Sequence, residues 1–289
     1  MPNFGIGSNQ AKAPFNGTAL NRKSGLARQL MLAYPIFNDR RTDVIRDYGP
    51  LQQTGTVNGA PAKAITGFFQ EAFHLVTASS QWIQVGGNTR LNSLRPLTFS
   101  MWVNFDNYPG AGAREIFSKG SNTYFFFRQV SGPAIQLDII YSTTNLQVKT
   151  AAPNADGLWH HLLVTWDGTA TAANIGIYWD GVALAHTTDT NGVGTVGADS
   201  GAVTAANGWG IGAFAGTPTN FLSSYVTLFS LWNRVLTAAE RYELRMDPWA
   251  LYVRQSGFTQ NLRDSSLIRF VPPEFISYTD TQIPQLLPQ

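Results

Sequence analysis

Two-residue turn sequences recur through the middle of this 289-residue chain and constrain its fold more than any other feature. Between residues 26 and 250, Asn-Gly or Asp-Gly occurs at 58–59, 156–157, 167–168, 180–181, 191–192 and 207–208. These residue pairs reach the positive φ of type I′ turns at low energetic cost, and such turns join antiparallel strands. The segments between them are short, and in one of them Ile175, Ile177 and Trp179 alternate with other residues, so they share one strand face. The pattern predicts an all-β, antiparallel fold.

One of these segments is apolar on both faces. Leu163 points to one side of the predicted strand at 159–166, and Leu162, Val164 and Trp166 point to the other. We expect such a strand to lie centrally, covered above and below. Only 13% of the residues are charged, whereas 44% are hydrophobic, which suits a strand-and-turn protein with a large core. Several strands of this length favour a two-sheet sandwich.

A single short helix is predicted near the C-terminal end. Thr237 and Glu240 have the spacing of a capping box, in which each side chain accepts an N–H of the first turn. Asp247 precedes a proline and therefore ends the helix after about ten residues. Tyr242 and Met246 are four residues apart, and we expect both to face the sheet.

Both ends of the chain differ in composition from the middle. Residues 1–25 and 253–289 are polar and punctuated by Gly, Asn and Pro, and we interpret them as extended N- and C-terminal arms around a domain at 26–252. The opening residues contain no apolar signal-peptide core, and no apolar run is long enough to span a bilayer. Basic residues between 22 and 46 are interspersed with acidic ones, so we expect neither a nucleic acid nor a membrane as partner.

The middle of the chain resembles a known family in eight places that follow one another in the family's order. The matching pieces are Leu30 to Pro35, Ser80 to Val85, Leu97 to Val103, Ile116 to Gly120, Asp156 to Asp167, Ile177 to Gly181, Trp209 to Gly212 and Leu228 to Leu236. Together they are similar to the laminin-G-like branch of the concanavalin A-like lectin/glucanase superfamily, over roughly residues 26–250. The resemblance implies a jelly-roll of two packed antiparallel sheets with about 14 strands.

Two further features refine what the resemblance implies. The sequence Asp247-Pro248-Trp249-Ala250-Leu251-Tyr252 after the helix looks like the ending that such domains have in many tailed-phage virion proteins. Thr227 stands about where many relatives carry an acidic residue, so the family's calcium site does not carry over. No Asp/Asn cluster has calcium spacing and the chain has no cysteine, so we expect no metal and no cofactor.

The superfamily includes glycoside hydrolases, whose catalysis depends on carboxylates. Retaining hydrolysis needs two carboxylates about 5 Å apart. None of the five glutamates stands in an E-x-D-x-E arrangement, and we expect no carboxylate pair facing one cleft and no catalytic residue. His160 and His161 are neighbours on a strand, so they point to opposite faces and cannot chelate one metal together. The sequence therefore predicts a protein that is not an enzyme.

A glycan site would need exposed aromatic rings beside amide or carboxylate groups. Trp209, Phe214 and Phe221 flank the loop at 212–220, and core packing is the competing interpretation for Trp209. The segment Asp106-Asn107-Tyr108 is the second place where such a site would form.

These observations lead to two functional hypotheses. The first is a non-enzymatic virion structural protein, such as a capsid decoration protein, made in the host cytoplasm and docked through its arms to capsid proteins or to sister copies in a homo-oligomer. The alternative is a lectin-like module that binds glycans for attachment to a host or surface.

Overall fold

A computed structural model describes residues 19–36, 43–66, 69–85, 87–120, 124–151, 153, 155–197, 208–215 and 218–253. Most of the two predicted arms, residues 1–18 and 254–289, lies outside the described residues. In the described part, strands form two large sheets and one small one, and every strand pairing is antiparallel. The predicted all-β jelly-roll sandwich is confirmed.

The first large sheet has nine strands. From edge to edge they are β16 (His186–Thr190), β12 (Leu146–Ala151), β11 (Ala134–Ile139), β10 (Phe125–Val130), β9 (Ala113–Lys119), β17 (Trp209–Ile211), β7 (Trp82–Val85), β4 (Gly55–Asn58) and β3 (Val44–Ile45). Neighbours in this order are often distant in sequence, so the sheet brings together side chains that no local motif connects.

The second large sheet has eight strands. They are β15 (Val182–Ala183), β14 (Ile175–Trp179), β13 (His160–Trp166), β8 (Leu97–Phe105), β18 (Ser224–Trp232), β6 (Gln70–Leu75) and β5 (Ala62–Thr66), with β2 (Leu30–Tyr34) also paired to β18. A separate two-stranded ribbon pairs β1 (Ala19–Leu20) with β19 (Tyr252–Val253). This ribbon holds the two ends of the described chain side by side.

Helices are short in the described part of the chain. Its α-helix is α1 (Ala238–Met246), and its 3₁₀ turns are Gly25–Ala27, Thr77–Ser79, Thr89–Leu91 and Ala172–Asn174. The predicted capping box is present: the Thr237 hydroxyl accepts the Glu240 N–H at 3.3 Å, and the Glu240 carboxylate accepts the Thr237 N–H at 2.9 Å. None of these helices is long and apolar enough to cross a membrane.

The main core lies between the two large sheets, and β13 occupies the position that its sequence predicts. Leu162, Val164 and Trp166 are buried in the core between the sheets. Leu163 is buried on the opposite side of the same strand, in a second apolar cluster. The strand lies between β14 and β8, which confirms a central strand covered on both faces.

The second cluster covers the outer face of the eight-stranded sheet, and α1 contributes to it differently from the prediction. Leu244 is buried there with Trp249 and Leu251. Tyr242 and Met246 are 61% and 44% exposed, so the expectation that they face the sheet is wrong. Spacing alone allows several faces of a helix this short to point inward, and the packing of Leu244 fixes which one does.

The prediction that these dipeptides form type I′ turns between antiparallel strands is correct at Asp180-Gly181 and wrong at three other described pairs. Asp180 and Gly181 have φ values of 52° and 78°, as a type I′ turn requires, and they join β14 to β15. At Asn58-Gly59, Asp156-Gly157 and Asp167-Gly168 only the glycine has positive φ. These pairs therefore lie in other turns or in longer connections.

Candidate functional site

Polar and aromatic side chains line up across the outer face of the nine-stranded sheet. Strand alternation turns Phe125, Phe127 and Leu137 into the core, so the intervening residues point outward. The register places Arg128 of β10 opposite Glu115 of β9, and it places Phe126 of β10 opposite Asp138 of β11. Asp138 is in turn opposite Gln147 of β12. We call Glu115, Phe126, Arg128, Asp138 and Gln147 the sheet-face cluster.

Asp138 is the fixed centre of this cluster. Arg128 Nη2 donates to Asp138 Oδ2 at 2.6 Å. Gln147 Nε2 donates to Asp138 Oδ1 at 2.7 Å, and Gln136 Nε2 lies 3.0 and 2.8 Å from the two carboxylate oxygens. The Asp138 side chain is only 5% exposed, so the carboxylate is held almost entirely by protein donors. These bonds make the face rigid.

Glu115 differs from Asp138 because one of its oxygens has no partner. The residue is 1% exposed, and its Oε1 lies 4.0 Å from Arg128 Nη1. Its Oε2 has no hydrogen-bond partner in the described part of the chain. Burial raises the pKa of Glu115 to about 7, although Arg128 and a hydrogen bond with Asn220 favour the charged form. Near neutral pH the carboxyl group is therefore present in both protonation states.

The loop that follows β17 closes one side of this face. Ser118 Oγ donates to the Ala213 carbonyl at 3.0 Å and accepts the Ala215 N–H at 3.2 Å. Gly212 begins the loop with a φ of 82°, which a side chain would strain. The anchored loop stacks Phe214 on Phe126 at a centroid distance of 5.5 Å and an interplanar angle of 20°.

Together the loop and the sheet-face cluster enclose a pocket of about 500 Å³. This volume lies in the range typical of small-molecule sites, about 300–1,000 Å³. Its lining consists of Glu115, Phe126, Arg128, Asp138, Ile140, Asn145, Gln147, Phe214, Thr219 and Asn220. The pocket thus combines a pair of stacked rings with carboxylate, guanidinium and amide groups.

Of the aromatic residues predicted around this loop, only Phe214 lines the pocket. Trp209 is 0% exposed, stacks on Phe117 at 4.5 Å and donates its indole N–H to the Leu91 carbonyl at 3.1 Å. Its ring is therefore part of the core, as the competing interpretation proposed. Phe221 is half-buried and does not line the pocket.

The second predicted segment is occupied by structural contacts. The Asp106 carboxylate pairs with His74 at 2.9 Å and accepts the Ser223 hydroxyl at 2.7 Å. Asn107 accepts a hydrogen bond from Arg114, and Tyr108 donates to the Pro153 carbonyl. Burial raises the pKa of the Tyr108 hydroxyl. None of these three residues lines the pocket.

The structure corrects one expectation about carboxylates. Glu115 and Asp138 both line the pocket, although we expected no carboxylate pair facing one cleft. They stand on β9 and β11, with β10 between them, so a search for close spacing within one strand could not find them. Arg128 lies between the two groups and contacts both.

The adjacent histidines point to opposite faces, as predicted. His161 is buried and bonded to Ser100 Oγ at 2.7 Å, and burial lowers its pKa to about 4. Burial also opposes charging of His160, but its hydrogen bonds to Asp180 and Asp156 outweigh this effect and raise its pKa. Neither histidine lines the pocket.

Thr227, which stands about where many relatives carry an acidic residue, lies between two backbone carbonyls. Thr227 is buried, and its hydroxyl lies 3.3 Å from the Pro35 carbonyl and 3.2 Å from the Glu71 carbonyl. Among the described residues, no group of three or more His, Asp or Glu side chains is placed to hold a metal ion.

Comparison with known proteins gives one family match and several structural ones. A family model described as the concanavalin A-like lectin/glucanases superfamily matches residues 77–240, more than half of the chain. No curated protein matches the chain in a sequence comparison.

Three solved structures resemble this fold at low sequence identity. The binding domain of Paraclostridial Mosquitocidal Protein 1 matches with a TM-score of 0.54 and 13% identity, covering 76% of this chain and 52% of that one. A botulinum neurotoxin type C structure is described as showing that cell entry depends on two ganglioside molecules. It matches with a TM-score of 0.56 and 10% sequence identity, covering 76% of this chain and 51% of that one. Trypanosoma rangeli sialidase matches with a TM-score of 0.52 and 16% sequence identity, covering 76% of this chain and 33% of that one. The chain spans about half the length of the two toxin structures and a third of the sialidase.

Proposed function

Because the chain belongs to the concanavalin A-like lectin/glucanases superfamily, we propose that it is a non-enzymatic module that binds carbohydrate in the pocket at the sheet-face cluster. The observation that carries this proposal is the juxtaposition of the Phe126–Phe214 ring pair with Glu115 and Arg128 in one pocket. Phe126 and Phe214 are 5% and 7% exposed, so only a small part of each ring is open to the C–H surface of a sugar, and the fixed polar groups bind its hydroxyls. Several of the similar structures are binding domains, which supports the same proposal.

The contacts of Asp138 favour binding over hydrolysis. A hydrolase with this pair of carboxylates would need Asp138 to attack the sugar or to activate water. Both Asp138 oxygens already accept hydrogen bonds from protein side chains, and Arg128 is paired with one of them at 2.6 Å. A carboxylate held this way is a weak nucleophile and a weak base, so we assign it the role of ordering the pocket.

The test is a glycan microarray with the full chain, followed by calorimetric titration of each glycan that binds. We expect Phe214→Ala to lower affinity roughly three- to tenfold, since aromatic contacts of this kind are worth about 0.5–1.5 kcal/mol. Phe221→Ala is the matched control, because Phe221 lies beside the same loop but does not line the pocket. Equal loss of affinity in both variants, or no glycan bound at all, would contradict the proposal.

The virion hypothesis concerns where such a module is used, and one observation favours it. The pairing of Ala19–Leu20 with Tyr252–Val253 places the two ends of the described chain next to each other in one ribbon. Arms that continue from these adjacent ends are suited to fasten one module to a capsid or to sister copies. We propose this docking role as a second candidate function.

Sedimentation velocity can test self-association through the arms. The full chain would be compared with a version trimmed to residues 19–253, which keeps both strands of the ribbon. We expect the full chain to form oligomers and the trimmed chain to be monomeric. Oligomers of the same size in both would assign the contact to the jelly-roll itself, and monomers in both would remove the support for sister-copy docking.

A further inference from the structure

Two buried polar atoms of the pocket lining have no hydrogen-bond partner among the residues that the structure describes. They are Oε2 of Glu115 and Nε of Arg128, and they belong to side chains whose nearest charged atoms lie 4.0 Å apart. Leaving a buried polar atom unpaired costs about 1–3 kcal/mol, and more for a charged group. Such atoms on side chains that line a pocket therefore indicate which hydrogen-bonding groups a ligand has to supply. Nε can only donate, and an ionised Oε2 can only accept.

From this pair we infer the chemical class of the ligand: the pocket selects an uncharged, hydroxyl-bearing sugar ring over an anionic one, with Glu115 and Arg128 binding neighbouring ligand oxygens. This inference rests on the function proposed above and adds the charge of the ligand. A hydroxyl group donates to Glu115 and also accepts from Arg128, so a pair of adjacent hydroxyls satisfies both atoms. A ligand carboxylate cannot donate to Glu115 in its ionised form, and an ammonium cannot accept from Arg128.

The charges of the lining lead to the same selection. Of the described residues, three with charged side chains line the pocket: Glu115, Arg128 and Asp138. Asp138 already compensates the positive charge of Arg128 at 2.6 Å, so the lining is neutral when Glu115 is protonated and negative when it is ionised. An anionic ligand therefore meets no uncompensated positive charge in this lining. The remaining polar residues, including Asn145, Gln147 and Asn220, are neutral hydrogen-bonding groups suited to hydroxyls.

The experiment compares matched neutral and acidic sugars with the full chain at pH 7.5. The pairs are lactose with 3′-sialyllactose, and the methyl glycosides of galactose and glucose with those of galacturonic and glucuronic acid. Saturation-transfer NMR detects binding, and titration gives the affinities. We expect the neutral member of each pair that binds to be favoured about tenfold, since a like charge close to Glu115 in a partly buried site is strongly disfavoured.

Glu115→Gln keeps the shape of the side chain and removes its charge. We expect this variant to lower the ratio of neutral-sugar affinity to acidic-sugar affinity at least about threefold. Glu243→Gln is the matched control, because it makes the same chemical change at an exposed position of α1, outside the pocket lining. Circular dichroism checks that both variants fold.

Each outcome separates the ligand class from the function. A neutral preference that Glu115→Gln narrows and Glu243→Gln leaves unchanged supports the inference. Three results would overturn the inference and leave carbohydrate binding in place. They are equal affinities within each pair, tighter binding of the acidic sugar, and a preference for the neutral sugar that Glu115→Gln does not change. If no sugar of the panel and no glycan on the array binds, the proposed function fails and the inference fails with it.

Discussion

Replacing Glu115 by Gln should change how the stability of the domain depends on pH. The carboxyl group is 1% exposed, and its pKa is raised from 4.5 to about 7, mainly by burial. Because the folded-state pKa is higher than that of the unfolded chain, ionisation favours unfolding. The stabilising contribution of the protonated group is fully present below pH 4.5 and is lost as the pH rises through about 7.

The size of the effect follows from the shift itself. One pKa unit corresponds to about 1.4 kcal/mol, so ionising Glu115 in the folded state costs about 3 kcal/mol. Near-complete burial means that solvent screening reduces this figure little. In Glu115→Gln the cost is absent, and an amide still bonds to Asn220. We therefore expect the variant to gain about 3 kcal/mol relative to the wild type between pH 4.5 and pH 8.

Urea denaturation at pH 4.5, 6 and 8 measures this difference. The comparison is between the pH slopes of the two proteins, since all other titrating groups are common to both. Glu243→Gln on the exposed side of α1 should run parallel to the wild type. Parallel curves for Glu115→Gln and wild type would refute the argument that burial of Glu115 controls its ionisation.

Three other changes test different parts of the fold. Burial lowers the pKa of His161 from 6.5 to about 4, so the stability contributed by its neutral form is fully present above pH 6.5, and up to about 3 kcal/mol of it is lost as the pH falls toward 4. His161→Asn should remove this loss of stability in acid, as measured by denaturation curves. Leu244→Ala should lower the free energy of unfolding by about 2–5 kcal/mol, whereas Tyr242→Ala, at an exposed position, should change it by no more than about 0.5 kcal/mol. The reverse order would show that α1 packs through its other face. Arg234 donates to both oxygens of Glu240 at 2.7 Å. Arg234→Ala should lower the melting midpoint more than Glu240→Gln does, because the glutamine keeps one acceptor oxygen for Arg234; equal midpoints would contradict a stabilising role of this ion pair.

The sheet-face cluster suggests why a binding function fits this fold. Strand register, which is fixed by core packing on the other side of the sheet, holds the polar groups in place without any loop movement. Asp138, bonded on both oxygens, orders Arg128 and Gln147, and in the proposed site the unpaired Oε2 of Glu115 is the atom assigned to the ligand. The loop contributes Phe214 and is itself held by Ser118. A site built on strands in this way needs little reorganisation when a ligand binds.

Local features of the sequence predicted the capped helix α1 and the central strand β13. The Thr237–Glu240 capping box depends on residues three apart, and the two-sided apolarity of β13 depends on alternation within seven residues. These signals act within one element, so the sequence alone predicts them. The same alternation in β11 marks Gln136 and Asp138 as outward-facing, but it does not say what lies beside them.

Tertiary structure alone decided the site. Glu115, Arg128 and Asp138 meet because β9, β10 and β11 are neighbours in the sheet and because the β9–β10 register shifts between Phe127 and Arg128, which places Glu115 opposite Arg128. Trp209 was ambiguous in sequence because an aromatic ring beside a glycine-rich loop serves equally as a binding surface or as core. Its stacking on Phe117 resolved the question, and Phe117 lies 92 positions away in the chain, on a strand that pairs with β17 only once the sheet has formed. Contacts of this kind depend on which strands become neighbours, and no local pattern specifies that.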